Sequence, residues 1–469
     1  MMKKKWKDNL LPIVLTAAMV SMLVVGCGVD AANSASSAET EVVTTAAAEV
    51  PTSYLSADDI TINETIENNE DGEHAVTADA EDGSYANIKV EKTGEASGDQ
   101  ADFYGENSAI FATNGAILDL NEIVVETDGT HANAIFSYGE GTTVNISDSV
   151  ITTSGNCSGG LMTTGGGTMN ASNLTIHTTG NSSAAIRSDR GGGTVMVNGG
   201  SYTTDGTGSP VIYSTADITV SDARMESTAS QGVVVEGQNS VTLNNVTLLA
   251  DNNTKNSNKS SYYQAVMIYQ SMSGDADEGE AYFTMNGGSL TNQNGDIFFI
   301  NNTLCSINLN DAEIVNNGDG VFLRAAAAGW GSEGSNGGHV TTNATSQEIN
   351  GDMVVDDVSS LNLYLKEKST FTGAINSDGE AGDVYVDLSG GSKWVLTGDS
   401  YITSLTCDAD SIDLNGYTLY VNGTTYTEST SSAGSAIEVT ITHSGGMGGP
   451  EGMGAPPEGG PGGTPPAKP

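Results

Sequence analysis

The sequence predicts an all-β solenoid in which short parallel strands stack coil upon coil along one axis. Two columns of similar residues at one shared period, and an apolar alternation of period two, predict it. The first column is a corner pattern: two apolar positions around any residue, then Asn or Ser, then Asp, Asn or Gly, then an apolar position three residues on. It runs LDLNEIVV from residue 118, VNISDSVI from 144, MNASNLTI from 169, VMVNGGSY from 195 and ITVSDARM from 218. It continues as VTLNNVTL from 241, FTMNGGSL from 283, INLNDAEI from 307 and IDLNGYTL from 412. Offsets among the first eight are 26, 25, 26, 23, 23, 42 and 24 residues, so one insertion, around DNNTKNSNKSSYY, interrupts a repeat of steady length. The second column reads AIFA from 109, AIFS from 134, GLMT from 160, AIRS from 185, VIYS from 211, VVVE from 233, VMIY from 266, IFFI from 297 and VFLR from 321. Self-similarity at this length marks a solenoid. Alternation by two marks strands instead of helices, and the Val, Ile, Thr and Tyr that fill the repeats suit a pleated surface.

Each coil then holds a strand, a tight corner, a second strand, a looser turn and a third strand. Roughly 13 coils fit, and at about 4.8 Å per rung they make a rod of about 60 Å. The corner column Asn121, Ser147, Ser172, Asn198, Ser221, Asn244, Asn286 and Asn310 is expected to stack as a ladder of amides and hydroxyls. Such a ladder pairs groups that the bend would otherwise bury alone. The following column is mostly Asp, Asn or Gly, the residues for which a positive φ is cheapest; Glu122 departs from it.

The flanks carry the address. Lys3, Lys4, Lys5 and Lys7 precede an apolar run from Leu10 to Val25 that closes on Gly26-Cys27. Residues 1–26 are therefore expected to be a secretory signal ending in a lipobox, with Cys27 lipidated. Residues 27–55 follow as a flexible lipid-anchored linker, 56–83 as an N-terminal cap over the first edge strand, 84–444 as the solenoid, and 445–469 as a disordered Gly/Pro-rich tail. The formal charge is −43, and losing residues 1–26 removes four lysines and Asp8, a net +3, leaving −46. Such a surface excludes nucleic acid as a partner and attracts cations. Cys157, Cys305 and Cys407 lie more than 100 residues apart and match neither a metal spacing nor a disulfide framework.

The corners and strands resemble the right-handed parallel β-helix of the pectin-lyase-like superfold. The lipobox, the Thr/Asn/Gly-rich coils and the GGMGGP tail resemble adhesin-like and carbohydrate-binding surface lipoproteins of Gram-positive bacteria. That resemblance implies a protein on the outer face of the bacterial membrane.

Fold alone does not confer the polysaccharide chemistry of that superfold. Gly-His-Gly and Arg-x-Lys, expected of a polygalacturonase-like site, are both missing from the sequence. The remaining catalytic suspects are Arg187 and Arg190 in one basic cluster, and the pair Asp356–Asp357; each reads more simply as surface pairing or a solvated turn. His131 and His177 sit in separate coils without an obvious partner. No cofactor is expected, although Asp275, Asp277, Glu278 and Glu280 crowd carboxylates in a way that suits Ca²⁺. A binding surface is expected where Ile135, Leu161, Ile186, Ile212 and Val234 point inward, leaving Phe136, Met162, Arg187, Tyr213 and Val235 outward. Tyr269 and Phe299 extend this stripe, and Trp330 on a long loop could rim it. Exposed apolar and aromatic rows are what sugar rings or a protein stack against. The leading expectation is a monomeric, non-catalytic binder of polysaccharide or a surface protein. A polysaccharide lyase or glycoside hydrolase, and a structural envelope spacer, are the alternatives.

Overall fold

A computed structural model describes residues 54–255 and 257–439. The expected signal, Cys27, nearly all of the linker and the Gly/Pro-rich tail lie outside the described residues. The described chain is a parallel β-helix. Three strands per coil stack on their equivalents one repeat away, as in Ile117–Asn121 on Thr143–Ser147, Val124–Thr127 on Val150–Thr153, and Ile110–Thr113 on Ile135–Tyr138. Strands of the first two kinds merge into a 22-stranded sheet, and the third kind forms an 11-stranded one. Toward the C-terminal end smaller sheets carry the stack on. Among the described residues no helix is long and apolar enough to cross a membrane.

Inward positions form one continuous core running from Val76 to Leu419. It is filled mainly by aliphatic side chains, with Phe283, Phe298 and Phe322 stepping along the axis at ring separations of 5.5 Å. Each such aromatic pair adds about 1 kcal/mol beyond the burial itself.

The corner column stacks as expected. Asn121 pairs with Ser147, Ser172 with Asn198, Ser221 with Asn244, and Asn286 with Asn310. Its side chains bond along the axis: Asn286 Nδ2 donates to Asn244 Oδ1 at 2.8 Å, and Asn310 Nδ2 to Asn286 Oδ1 at 2.8 Å. The next column takes the left-handed backbone throughout, from Glu122 (φ 50) through Asp148, Asn173, Asp222 and Asn245 to Asp311 (φ 53). Asn245 and Asn173 each donate to the Asp one coil back at 2.7 Å. Even Glu122 follows the geometry, because its neighbours impose it.

Two expectations change. Glu64–Asn68 pairs with Ile88–Lys92 and Val76–Asp79 with Ile110–Thr113, both in parallel. The coils therefore begin inside the segment expected to cap them, where the strands alternate but lack the corner residues that reveal a coil. The second change is a slip of one residue. Val233, not Val234, pairs with Ile212, so Val233 and Val235 join the core while Val234 points out. Three consecutive valines carry no parity signal.

Candidate functional site

Apart from the slip at Val234, the outward stripe lies where the alternation places it, but it is not an exposed surface. Phe136 and Met162 are fully buried, as is Phe299, and Tyr269 is nearly so. Insertions cover them. The segment 94–108, with its single-turn helix Asp99–Phe103, lies over Phe111 and Phe136, so close that a Cβ on Gly105 would come 2.6 Å from the first ring and 3.0 Å from the second; Tyr104 meets Tyr138 at 5.8 Å. At the other end Tyr262 packs on Phe299 at 5.4 Å and Trp330 on Tyr269 at 5.2 Å. An apolar row this long on a sheet face attracts cover within its own chain.

The basic cluster is spent on internal pairs, and Arg190 alone of it reaches a cover. Arg187 grips the buried Asp189 through two nitrogens at 2.9 and 2.6 Å. Burial pushes the Asp189 carboxyl up to about 6, against the pull of Arg187. Arg190 reaches Asp275 at 2.9 Å and Asp99 at 3.4 Å, and its guanidinium lies 3.6 Å from the Phe103 ring centre. It thereby ties the segment 94–108 to the loop 271–279 that carries Asp275. Tyr213 donates to the buried Glu236 and lies 3.4 Å from the Tyr269 hydroxyl. Tyr213, Tyr269 and Trp330 do share one small cleft of about 100 Å³.

The remaining suspects disperse. Asp356 caps its own turn, accepting from Ala327 N at 2.7 Å and Ser359 Oγ at 2.6 Å, while Asp357 is exposed. Asp275 serves Arg190, Asp277 accepts from Gln238, and Glu280 accepts from Tyr282 and Ser306. Together with Glu278 these carboxylates do not converge as a set of ligands: among the described residues a different trio does so. A short link between neighbouring carboxylates in sequence does not aim them at one point.

Two features have a geometry suited to binding. The first is an open groove of about 610 Å³ on the outer face of the 22-stranded sheet. It crosses six rungs, about 24 Å at 4.8 Å per step. One side carries Asp119, Asn145, Asn170 and Met196, and the other Asn121, Ser147, Ser172 and Asn198. Asn145 Nδ2 donates to Asp119 Oδ1 at 2.8 Å, and Asn170 Nδ2 to Asn145 Oδ1 at 2.9 Å. Met196 then interrupts the ladder with a 55% exposed thioether side chain.

The second is the trio Asp102, His131 and Cys157, whose ligand atoms all lie within 4.8 Å of one another. The looser turn of each coil supplies two of them. His131 (φ 58), Cys157 (φ 54) and Ser182 (φ 55) stack as a second left-handed column, joined by His131 N to Asn156 O at 2.9 Å and Cys157 N to Asn181 O at 2.8 Å. The coils approach so closely there that a Cβ at Gly155 or Gly180 would overlap the carbonyl oxygen one coil back. His131 Nδ1 meets the Ala96 carbonyl at 2.9 Å and Nε2 meets Asp102 Oδ1 at 2.5 Å. Contact with Cys157 first, and then Asp102, raises the His131 pKa to about 9. His131 thus has partners after all, as does His177, whose Nε2 lies 2.7 Å from Asp205 Oδ2. A signal was present: His131 and Cys157 stand 26 residues apart, one full coil.

No family model matches the sequence, and no curated protein does. Among solved structures the chain is similar to one described as the cryo-EM structure of the Vag8–C1 inhibitor complex. The identity is 17% and the TM-score 0.48, with 75% of this chain and 80% of that chain covered.

Proposed function

We propose that the solenoid is a non-catalytic binding module that seats an uncharged polysaccharide along the open groove. The carrying observation is the groove itself, six rungs of amides and hydroxyls left uncovered, with Met196 exposed among them. Side-chain amides donate and accept toward hydroxyl groups, and an exposed thioether packs on the apolar face of a ring. The charge of −43 disfavours an anionic chain, which would have to approach a field of its own sign. The engagement of Arg187, Arg190 and Asp356 in internal pairs supports binding over lyase or hydrolase chemistry. In this reading Cys27 holds the module by lipid on the outer face of the bacterial membrane, so that the groove meets glycans of the envelope or of neighbouring cells.

Arrays of neutral and acidic glycans, probed with the full chain, test the proposal. Neutral glycans are expected to bind, with Met196→Asp weakening them at least tenfold and Asn170→Ala about threefold. Binding indifferent to both substitutions would remove the groove from consideration. Release of unsaturated or reducing ends from polysaccharide would overturn the non-catalytic reading.

A further inference from the structure

Asp102, His131 and Cys157 come from three separate segments: the covering insertion and the looser turns of two successive coils. They are separated by 29 and 26 residues, so only the stacking of the coils brings them together. An ion pair between His131 and Asp102 would need no third group at that point. Here a thiol completes the set, and among the described residues it has no disulfide partner, since Cys305 and Cys407 are buried elsewhere in the core.

We propose that Asp102, His131 and Cys157 form a binding site for one divalent transition-metal ion of the zinc type. An imidazole nitrogen, a thiolate and a carboxylate are the donor types that borderline-soft Zn²⁺ takes, and that hard Ca²⁺ or Mg²⁺ does not. Zinc sits about 2.0–2.3 Å from such atoms in a tetrahedron, which places neighbouring ligand atoms more than about 3 Å apart. The present spread, from 2.5 Å between Nε2 and Oδ1 up to a limit of 4.8 Å, reaches that arrangement through side-chain rotation. Asp102, with 35% of its side chain exposed, has the freedom to make it.

The surroundings suit a ligand set. The Ala96 carbonyl fixes Nδ1 and leaves Nε2 for the ion, the outer-shell bond that orients most ligating histidines. Arg187, close enough to feel the Cys157 thiol, is committed to Asp189. Three protein ligands leave a fourth position for water. On binding, the proton on Nε2 and the thiol proton pass to solvent, the carboxylate keeps its charge, and no redox partner is required. The ion would pin the insertion 94–108 to the coils beneath it.

The test uses the full chain, stripped with chelator and reduced, then titrated with Zn²⁺ by calorimetry and with Co²⁺ by absorption. One equivalent of each metal is expected, with the charge-transfer band of a thiolate–cobalt bond. Cys157→Ser should abolish that band and weaken zinc at least 100-fold, His131→Gln should do the same, and Asp102→Asn should cost at least tenfold. Alkylation of Cys157 in the unaltered protein needs no variant, and stoichiometric zinc should slow it at least tenfold. Metal uptake that persists in Cys157→Ser without the band assigns the ion to other carboxylates and overturns the site. Unprotected alkylation, or no stoichiometric uptake, overturns it too.

Discussion

Two outer faces of the same coils have opposite fates. On the 22-stranded sheet the outward columns are amides and hydroxyls that bond to one another along the axis, and this face stays open as a groove. On the 11-stranded sheet the outward column runs Phe111, Phe136, Met162, then Val234, Met267 and Phe299, and insertions bury it. The difference teaches what decides exposure on a solenoid. A polar ladder satisfies itself and tolerates water, whereas an apolar row gains about 25 cal/mol per Å² by being covered. Inserted residues therefore collect over the apolar face.

The sharpest way to break the comparison is to truncate one residue on each face. Phe136→Ala, under its cover, should lower unfolding free energy by about 3–5 kcal/mol. Asn170→Ala on the open face should cost about 1 kcal/mol. Denaturant titration of both variants measures the contrast, and equal losses would mean that the stripe is not a lateral core.

A second test addresses what anchors the cover. In chelator-treated protein the folded His131 pKa of about 9 lies above its ordinary 6.5. The contribution is therefore complete below pH 6.5 and is lost as pH rises through about 9, amounting to about 3 kcal/mol. Stability measured from pH 5 to 10 should fall between about 6.5 and 9 and level off above, and His131→Gln should flatten the fall. A wild-type profile as flat as the variant's would refute the assignment.

The smallest effect concerns the tie between the segment 94–108 and the loop 271–279. Arg190→Met keeps contact with Phe103 but drops both carboxylates. At a partly exposed pair the cost is about 1 kcal/mol or less, so global stability should barely move. Amide exchange in 94–108 and 271–279 should nonetheless quicken severalfold, and unchanged exchange would show that Arg190 couples nothing.

Much of this was readable residue by residue. The column from Asn121 to Asn310, the left-handed slot after it, and the inward side of Ile135, Leu161, Ile186 and Ile212 all follow from local rules repeated at one period. The repeat loses contrast in the three valines from 233, where no residue marks the parity, and in the corner-free strands before residue 84, where no residue marks a coil. The groove was half visible, since one of its sides, from Asn121 to Asn198, belongs to the expected ladder while the side of Asn145 and Asn170 does not, and that ladder reads as scaffolding until its face is seen to be open.

By itself the sequence determined the period, the strand direction and which side chains turn away from the core, because each depends on neighbours within one coil and its copy in the next. Only the tertiary structure decided which outward face is covered and which is open. It also brought Asp102 onto His131 and Cys157. Those outcomes depend on where long insertions land, and an insertion has no period: its place is set by the apolar area and the ion pairs it meets across the surface.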